Sequence, residues 1–234
     1  MYNKKLTLSN GVEIPQLGLG TWFIDDDKVA DAVKAAADLG YRHFDTAQAY
    51  GNERGVGEGI RTCGIPREKL FVVSKVAAEH KTYEDAKASI DKTLSDIGLD
   101  YLDMMIIHSP QPWVEVNQIL LHISNTPLEL VEYCQKKGIA VEAYSPIAHG
   151  EILHQPEIAD MAEKYGVSVP QLCIRYTLQL GAISLPKTGN PEHMKTNADV
   201  DFEISAEDME VLKNFKHIES YGESSGFPVY GGKL

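Results

Sequence analysis

Short apolar runs alternate along this chain with longer segments whose apolar residues recur at helical spacing. The runs fall near residues 17–22, 42–47, 70–76, 102–108, 116–119, 140–146 and 182–187, and their length suits buried strands. Between them, residues 27–40 (DKVADAVKAAADLG), 83–98 and 126–138 place apolar residues three and four apart and close on Gly40, Gly98 and Gly138, where glycine marks a helix end. The third of these segments opens on Asn125-Thr126-Pro127, and proline is favoured in a first helical turn. Farther along, Ser205 and Asp208 form a capping-box pattern ahead of the helical segment 205–215. Strands that alternate with helices predict an α/β fold with a parallel sheet.

Four polar side chains stand where three of these runs end or just beyond. Asp45 follows RHF, Lys75 follows LFVVS, His108 follows LDMMII, and Tyr50 lies one short loop past Asp45. In a barrel of parallel strands the chemistry gathers at the strands' carboxyl ends, so residues about thirty apart in sequence meet at one mouth. A tyrosine with a pKa of about 10 is a poor proton donor at neutral pH. A neighbouring Lys75 ammonium is expected to lower that pKa, and Asp45 to keep the ammonium charged. His108 could aim a carbonyl. With no Ser or Cys paired to a base, hydride transfer from a nicotinamide suits such a cluster best.

At this point the chain resembles a family, the aldo-keto reductases, which are NADP-dependent (β/α)8 TIM-barrel enzymes that reduce aldehydes and ketones. The resemblance runs from residue 6 onward through LSNGVEIPQLGLGTW, the D-T-A-x-x-Y-G-N-E run from Asp45 to Glu53, VSK at 73–75, IHSP at 107–110, AYSP at 143–146 and LPKTGNPEHMKTNAD at 185–199. It implies a catalytic tetrad of Asp45, Tyr50, Lys75 and His108, with Tyr50 as general acid. It also implies NADP(H) contacts: Tyr144 stacking on the nicotinamide with Ser145 beside it, Gln118 bonding the carboxamide, Lys187 and Thr188 at the 2′-phosphate, and Asn197 at the adenine. Where the family usually places an arginine, this chain has His193. Histidine is mostly neutral at pH 7 and lacks the bidentate fork, so weaker NADP selectivity is expected.

The spacing departs from the family in one place. Seven strand-like runs occur where a (β/α)8 barrel needs eight, and the runs at 102–108 and 116–119 are joined only by SPQPWVE. A parallel crossover takes a dozen or more residues. About one βα unit is therefore missing between strands 4 and 6, after residue 113. A helix, a strand and a second helix amount to roughly forty to fifty residues. In the family that stretch carries the Ser-Asn pair that grips the nicotinamide amide. The sequence is compatible with a true excision and with a longer parent polypeptide.

The 234 residues, 43% of them hydrophobic, suit a single domain spanning 1–234, since such barrels do not split. A formal net charge of −12 argues against nucleic-acid or anionic-membrane partners. The amino terminus has no signal-peptide core and no window approaches a membrane span, so a cytoplasmic protein is expected, and as a reductase a monomer. Cys63, Cys134 and Cys173 are widely spaced and are read as reduced residues, with no zinc site. His43, His80, His122, His149, His154 and His217 show no metal-ligand spacing and are read as surface or satisfied histidines. The run GVGEGI at 55–60 lacks the third glycine of a dinucleotide fingerprint. Met104 and Met105 are read as packing residues. Trp22 and Trp113 are expected to line a pocket for a small-molecule carbonyl with an apolar body. Two other functions fit the same residues: a reductase-like binding module with an impaired cofactor site, and a barrel enzyme performing proton transfer with Tyr50 and Lys75.

Overall fold

The computed structural model of the chain describes residues 2, 4–77, 80, 82–107, 116–218 and 220–226. His108 and Trp113 lie outside the described residues. An antiparallel hairpin, β1 (Lys5–Thr7) and β2 (Glu13–Pro15), comes first. After it the chain alternates as the apolar pattern predicts: β3 (Leu19–Gly20), α1 (Asp26–Asp38), β4 (His43–Asp45), α2 (Glu53–Thr62), β5 (Phe71–Val76), α3 (Tyr83–Ile97) and β6 (Met104–Ile107). The second half runs β7 (Val116–Leu120), α4 (Leu128–Lys136), β8 (Ala140–Tyr144), α5 (Pro156–Lys164), α6 (Val169–Gln179), β9 (Ile183–Leu185), α7 (Pro191–Ala198) and α8 (Ala206–Lys213). Each of the seven strand-like runs becomes one strand, β3 to β9.

Strands β3, β4, β5 and β6 form one parallel sheet in that order, and β7, β8 and β9 form another. The two join along β3 and β9 through parallel bridges between Leu17 and Ser184 and between Gly20 and Lys187. There the Gly18 amide donates to the Ser184 carbonyl at 3.1 Å, and the Ser184 amide to the Gln16 carbonyl at 3.0 Å. The circuit is thus β6-β5-β4-β3-β9-β8-β7. Among the described residues β6 and β7 share no ladder, so the barrel has a seam where the missing unit would stand.

Side chains alternate in and out along each strand. Phe71, Val73, Ile106, Val116, Ile183 and Leu185 fill the lower interior, and Leu8 and Ile14 of the hairpin join that cluster as a plug. Outside, α1 and α2 cover β3 to β5 through Val29, Val33, Val56 and Ile60, packed with Leu19, Phe44 and Val72. Helices α5, α6 and α8 share a second core around Ile158, Leu172, Tyr176 and Leu212. Ser168 and Gln171 cap α6 reciprocally, and the Ser205 hydroxyl accepts from the Asp208 amide at the start of α8.

The glycine run at 55–60 lies inside α2. A Cβ on Gly55 would run into the Asp26 carbonyl of α1, one on Gly57 into the Ile97 carbonyl of α3, and one on Gly59 into Val33. These glycines let α2 approach a helix on either side. Glycine in a helix interior costs about 1 kcal/mol against alanine, and here the close packing offsets it.

Candidate active site

Lys75 is 1% exposed at the carboxyl end of β5. Its Nζ donates to both Asp45 carboxylate oxygens, at 2.7 and 2.8 Å, and to the Thr46 carbonyl at 2.8 Å. The fourth neighbour is the Tyr50 hydroxyl at 3.2 Å. Tyr50 reaches it because the chain leaves β4 through a 3-10 turn, Gln48–Tyr50, ended by Gly51 at a left-handed φ of 66°. Thr46 and Asn52 pin that turn: the Thr46 hydroxyl donates to the Asn52 side-chain oxygen at 2.8 Å, and the Asn52 amide donates to the Thr21 and Ile24 carbonyls, each at 2.9 Å.

Burial is the strongest influence on Lys75 and favours the neutral amine, but Asp45 and Tyr50 together outweigh it and hold the ammonium above its ordinary pKa. The balance at Tyr50 goes against the expectation from sequence. Burial raises its pKa more than Lys75 lowers it, so the phenol stays above the usual tyrosine value. The ammonium softens the desolvation without reversing it.

Trp22 is stacked on Tyr50 with ring centroids 6.2 Å apart and on Phe23 at 4.5 Å, and meets His149 edge-on at 5.5 Å. It therefore stands at the mouth beside the phenol. Tyr144 ends β8, in register with Leu120 of β7 and Leu185 of β9. Ser145 follows at a left-handed φ of 51°; its hydroxyl shares a hydrogen bond with His149 Nε2 at 3.1 Å, and His149 Nδ1 shares another with Ser224 at 3.1 Å.

Gln118 comes to the same centre from β7. Its Nε2 donates to Asp45 Oδ2 and to Glu142 Oε2, both at 3.1 Å, so the amide nitrogen is engaged by two carboxyl groups and the carbonyl oxygen is what it can offer a ligand. Glu142, on β8, is fully buried, and burial pushes its pKa up to about 8, with Asp45 adding to the rise. Its other oxygen, Oε1, lies 3.8 Å from Nε2 of the equally buried His43, and both atoms are without a hydrogen-bond partner. The reading of His43 as a surface or satisfied histidine is thereby corrected. Burial pulls its pKa down to about 4. Glu142 was not named from sequence and His43 only as a histidine without metal-ligand spacing, although a carboxylate at an inward position of AVEAY was a readable signal.

A second group of residues gathers at the start of α7. Lys187 is exposed, Thr188 is 8% exposed, and the Thr188 hydroxyl oxygen accepts from the Asn190 amide at 3.0 Å. Asn190 caps the helix by accepting from the Glu192 amide at 2.9 Å. His193 is exposed and Asn197 largely buried, one helical turn apart. Helix amino ends favour anions. Among the described residues no group of three or more His, Cys, Asp or Glu side chains is arranged for a metal ion, and no helix is long and apolar enough to cross a membrane.

The sequence profile described as "Aldo/keto reductase family" matches this chain in two pieces, over residues 16–126 and 114–216. The uncharacterized oxidoreductase YtbE of Bacillus subtilis (strain 168) is 38% identical over 252 positions, covering 88% of this chain and 90% of the relative. The glyoxal reductase of the same organism is 35% identical over 258 positions, 92% of this chain and 94% of the relative. Both alignments are longer than the 234-residue chain itself, so within the aligned span each relative carries several tens of residues with no counterpart here. The crystal structure of a Bombyx mori aldo-keto reductase in complex with NADP matches with a TM-score of 0.83 at 26% identity, over 98% of each chain. The chain therefore belongs to the aldo/keto reductase family of oxidoreductases, and carries that family's α/β barrel with about one βα unit left out between β6 and β7.

Proposed function

We propose that this protein reduces the carbonyl group of a small aldehyde or ketone with NADPH, Tyr50 giving the proton to the carbonyl oxygen. One observation carries the reading: a single buried ammonium, Lys75 Nζ, touches both the Asp45 carboxylate and the Tyr50 hydroxyl. As the proton leaves Tyr50, negative charge grows on its oxygen 3.2 Å from that ammonium, and a fixed cation facing developing charge stabilises the transition state. Asp45 and the Thr46 carbonyl hold the cation in place, so little reorganisation is needed. His108 is assigned by resemblance to orienting the carbonyl. Trp22 gives the substrate an apolar wall beside the phenol.

The residues present fit NADP(H). Lys187, the Thr188 hydroxyl and the amino end of α7 suit a 2′-phosphate, Asn197 the adenine, and Tyr144 with Ser145 and the Gln118 carbonyl oxygen the nicotinamide end. When bound, the cofactor supplies the hydride. His193 leaves the phosphate with one fixed cation fewer than the family's arginine gives, so discrimination against NADH is weak. The glyoxal reductase relative favours small dicarbonyls among the candidate substrates. A second reading, a reductase-like binding module, is favoured by the seam between β6 and β7, because the absent unit is the one assigned to the nicotinamide amide.

The deciding experiment is Tyr50→Phe. NADPH-dependent reduction of a generic aldehyde is expected to fall by at least ~10²-fold, the usual contribution of a general acid, with NADPH binding by fluorescence nearly unchanged. Full activity in this variant would remove Tyr50 from the reaction, and failure of the wild-type protein to bind NADPH would favour the binding-module reading.

A further inference from the structure

Beneath the Lys75 and Asp45 pair lies a second acid and base that the reaction as described does not use. Glu142 and His43 are both fully buried, on β8 and β4, and face each other across the barrel. The Pro15 carbonyl, 3.2 Å from His43 Nδ1, can only accept, so Nδ1 carries the hydrogen and a neutral imidazole presents a bare acceptor at Nε2. Opposite that acceptor stands Glu142 Oε1, and neither atom has another partner. Two bare acceptors in a dry interior would repel each other. One proton between them removes the conflict. Burial disfavours the charged form of both groups, so the proton rests on the carboxyl and both side chains are neutral.

The charges around Glu142 support this placement. Asp45 comes from β4 and Lys75 from β5, already paired with each other; β7 contributes the uncharged Gln118; and β9 contributes Ile183, its register partner. With Glu142 neutral, Asp45 and Lys75 are the charged pair beside it among the described residues. Ionised, Glu142 would add a second anion with no cation of its own, linked to Asp45 through the two N–H groups of Gln118. Tyr50 registers that charge, since an ionised Glu142 raises the phenol pKa further.

We propose that Glu142 is a positioning residue that keeps a proton inside the barrel at neutral pH, and that releasing this proton to solvent charges the floor of the site and weakens Tyr50 as a proton donor. The second half rests on the reading of Tyr50 given above. The consequence is an alkaline limit on carbonyl reduction that belongs to Glu142, with a midpoint near pH 8. Across it kcat falls, because a donor of higher pKa gives up its proton more slowly.

Three measurements test it. Infrared difference spectra of wild type against Glu142→Gln should show the carbonyl stretch of a protonated carboxylic acid at neutral pH, fading as the pH is raised. The pH profile of kcat at saturating NADPH should lose its alkaline fall in Glu142→Gln, whatever that variant does to the rate at neutral pH. The ultraviolet titration of Tyr50, isolated by subtracting Tyr50→Phe, should move to lower pH in Glu142→Gln. Absence of the acid band in wild type, or an unchanged alkaline limb and Tyr50 titration in the variant, would overturn the proposal. The infrared and ultraviolet readings need no turnover, so an active Tyr50→Phe would refute the assigned donor while leaving the state of Glu142 decided. If Glu142→Gln does not fold, the pH dependence of the band in wild type alone settles whether the proton is there.

Discussion

Two buried acid–base pairs lie close together in this barrel and reach opposite states. Asp45 and Lys75 are joined by two hydrogen bonds of 2.7 and 2.8 Å, with further contacts from Lys75 to Thr46 and Tyr50. Glu142 and His43 stand 3.8 Å apart, each with an atom unpaired. Burial is comparable. What differs is the number of groups that favour the charged form. The first pair keeps its charges because its polar atoms are satisfied in the ionised state, and the second stays neutral because burial dominates there. A dry interior does not by itself decide whether a pair is ionic.

The severest way to break this contrast is Lys75→Met. It leaves Asp45 as a buried carboxylate without its cation, at a cost of roughly 3–5 kcal/mol, and removes the charge that steadies the Tyr50 oxygen. Denaturant unfolding should show the loss. An unaltered midpoint would mean that the pair contributes nothing to the fold.

Next in size is the pH dependence of stability. Glu142 has a folded pKa near 8, above its ordinary carboxylate value, so the folded state binds the extra proton. Its contribution is full below the ordinary value and is lost as the pH climbs through 8. His43 runs the other way: with a folded pKa near 4 it gains stability as the pH rises from there to the ordinary imidazole value. The two oppose each other in mild acid, and above it Glu142 acts alone. The melting temperature of wild type should therefore drop between about pH 6.5, the ordinary imidazole value, and pH 8, by the equivalent of a few kcal/mol at most, while Glu142→Gln stays level. Parallel curves for the two proteins would place the charge of Glu142 elsewhere.

The mildest probe is Gln118→Leu, which takes one donor from each carboxyl group. Leaving a buried acceptor unsatisfied costs about 1–3 kcal/mol. Asp45 keeps Lys75, so the loss should fall mainly on Glu142 and appear as a steeper pH dependence of the melting temperature. A uniform loss at every pH would show that Gln118 serves packing alone.

The sequence made the strands easier to read than the pairs. Each of the seven parallel strands falls on one of the apolar runs, β7 reaching one residue past its run, because a strand buried on both faces shows itself as a continuous stretch. Asp45, Tyr50 and Lys75 were legible from their places at strand ends. The partnership of Glu142 with His43 was not: strand periodicity tells which residues point inward but not which meet across a barrel, and that depends on register. The net rise at Tyr50 was hidden for a related reason, since it depends on how deeply the phenol is buried. The glycines of α2 were weighed only against a dinucleotide loop, although their alternate spacing suits a helix wedged between two others.

The line between β3 and β9 has a consequence for how the molecule assembles. Each of the two sheets is built from strands close in sequence, residues 19–107 for one and 116–185 for the other. Their pairing to each other runs through Gln16, Gly18 and Ser184, near opposite ends of the chain. Local sheets form early and the long-range closure between them late, since its loop entropy is the largest. In pulse-labelled refolding the amides of Gly18 and Ser184 should therefore gain protection from exchange after those within either sheet, and simultaneous protection would refute that order.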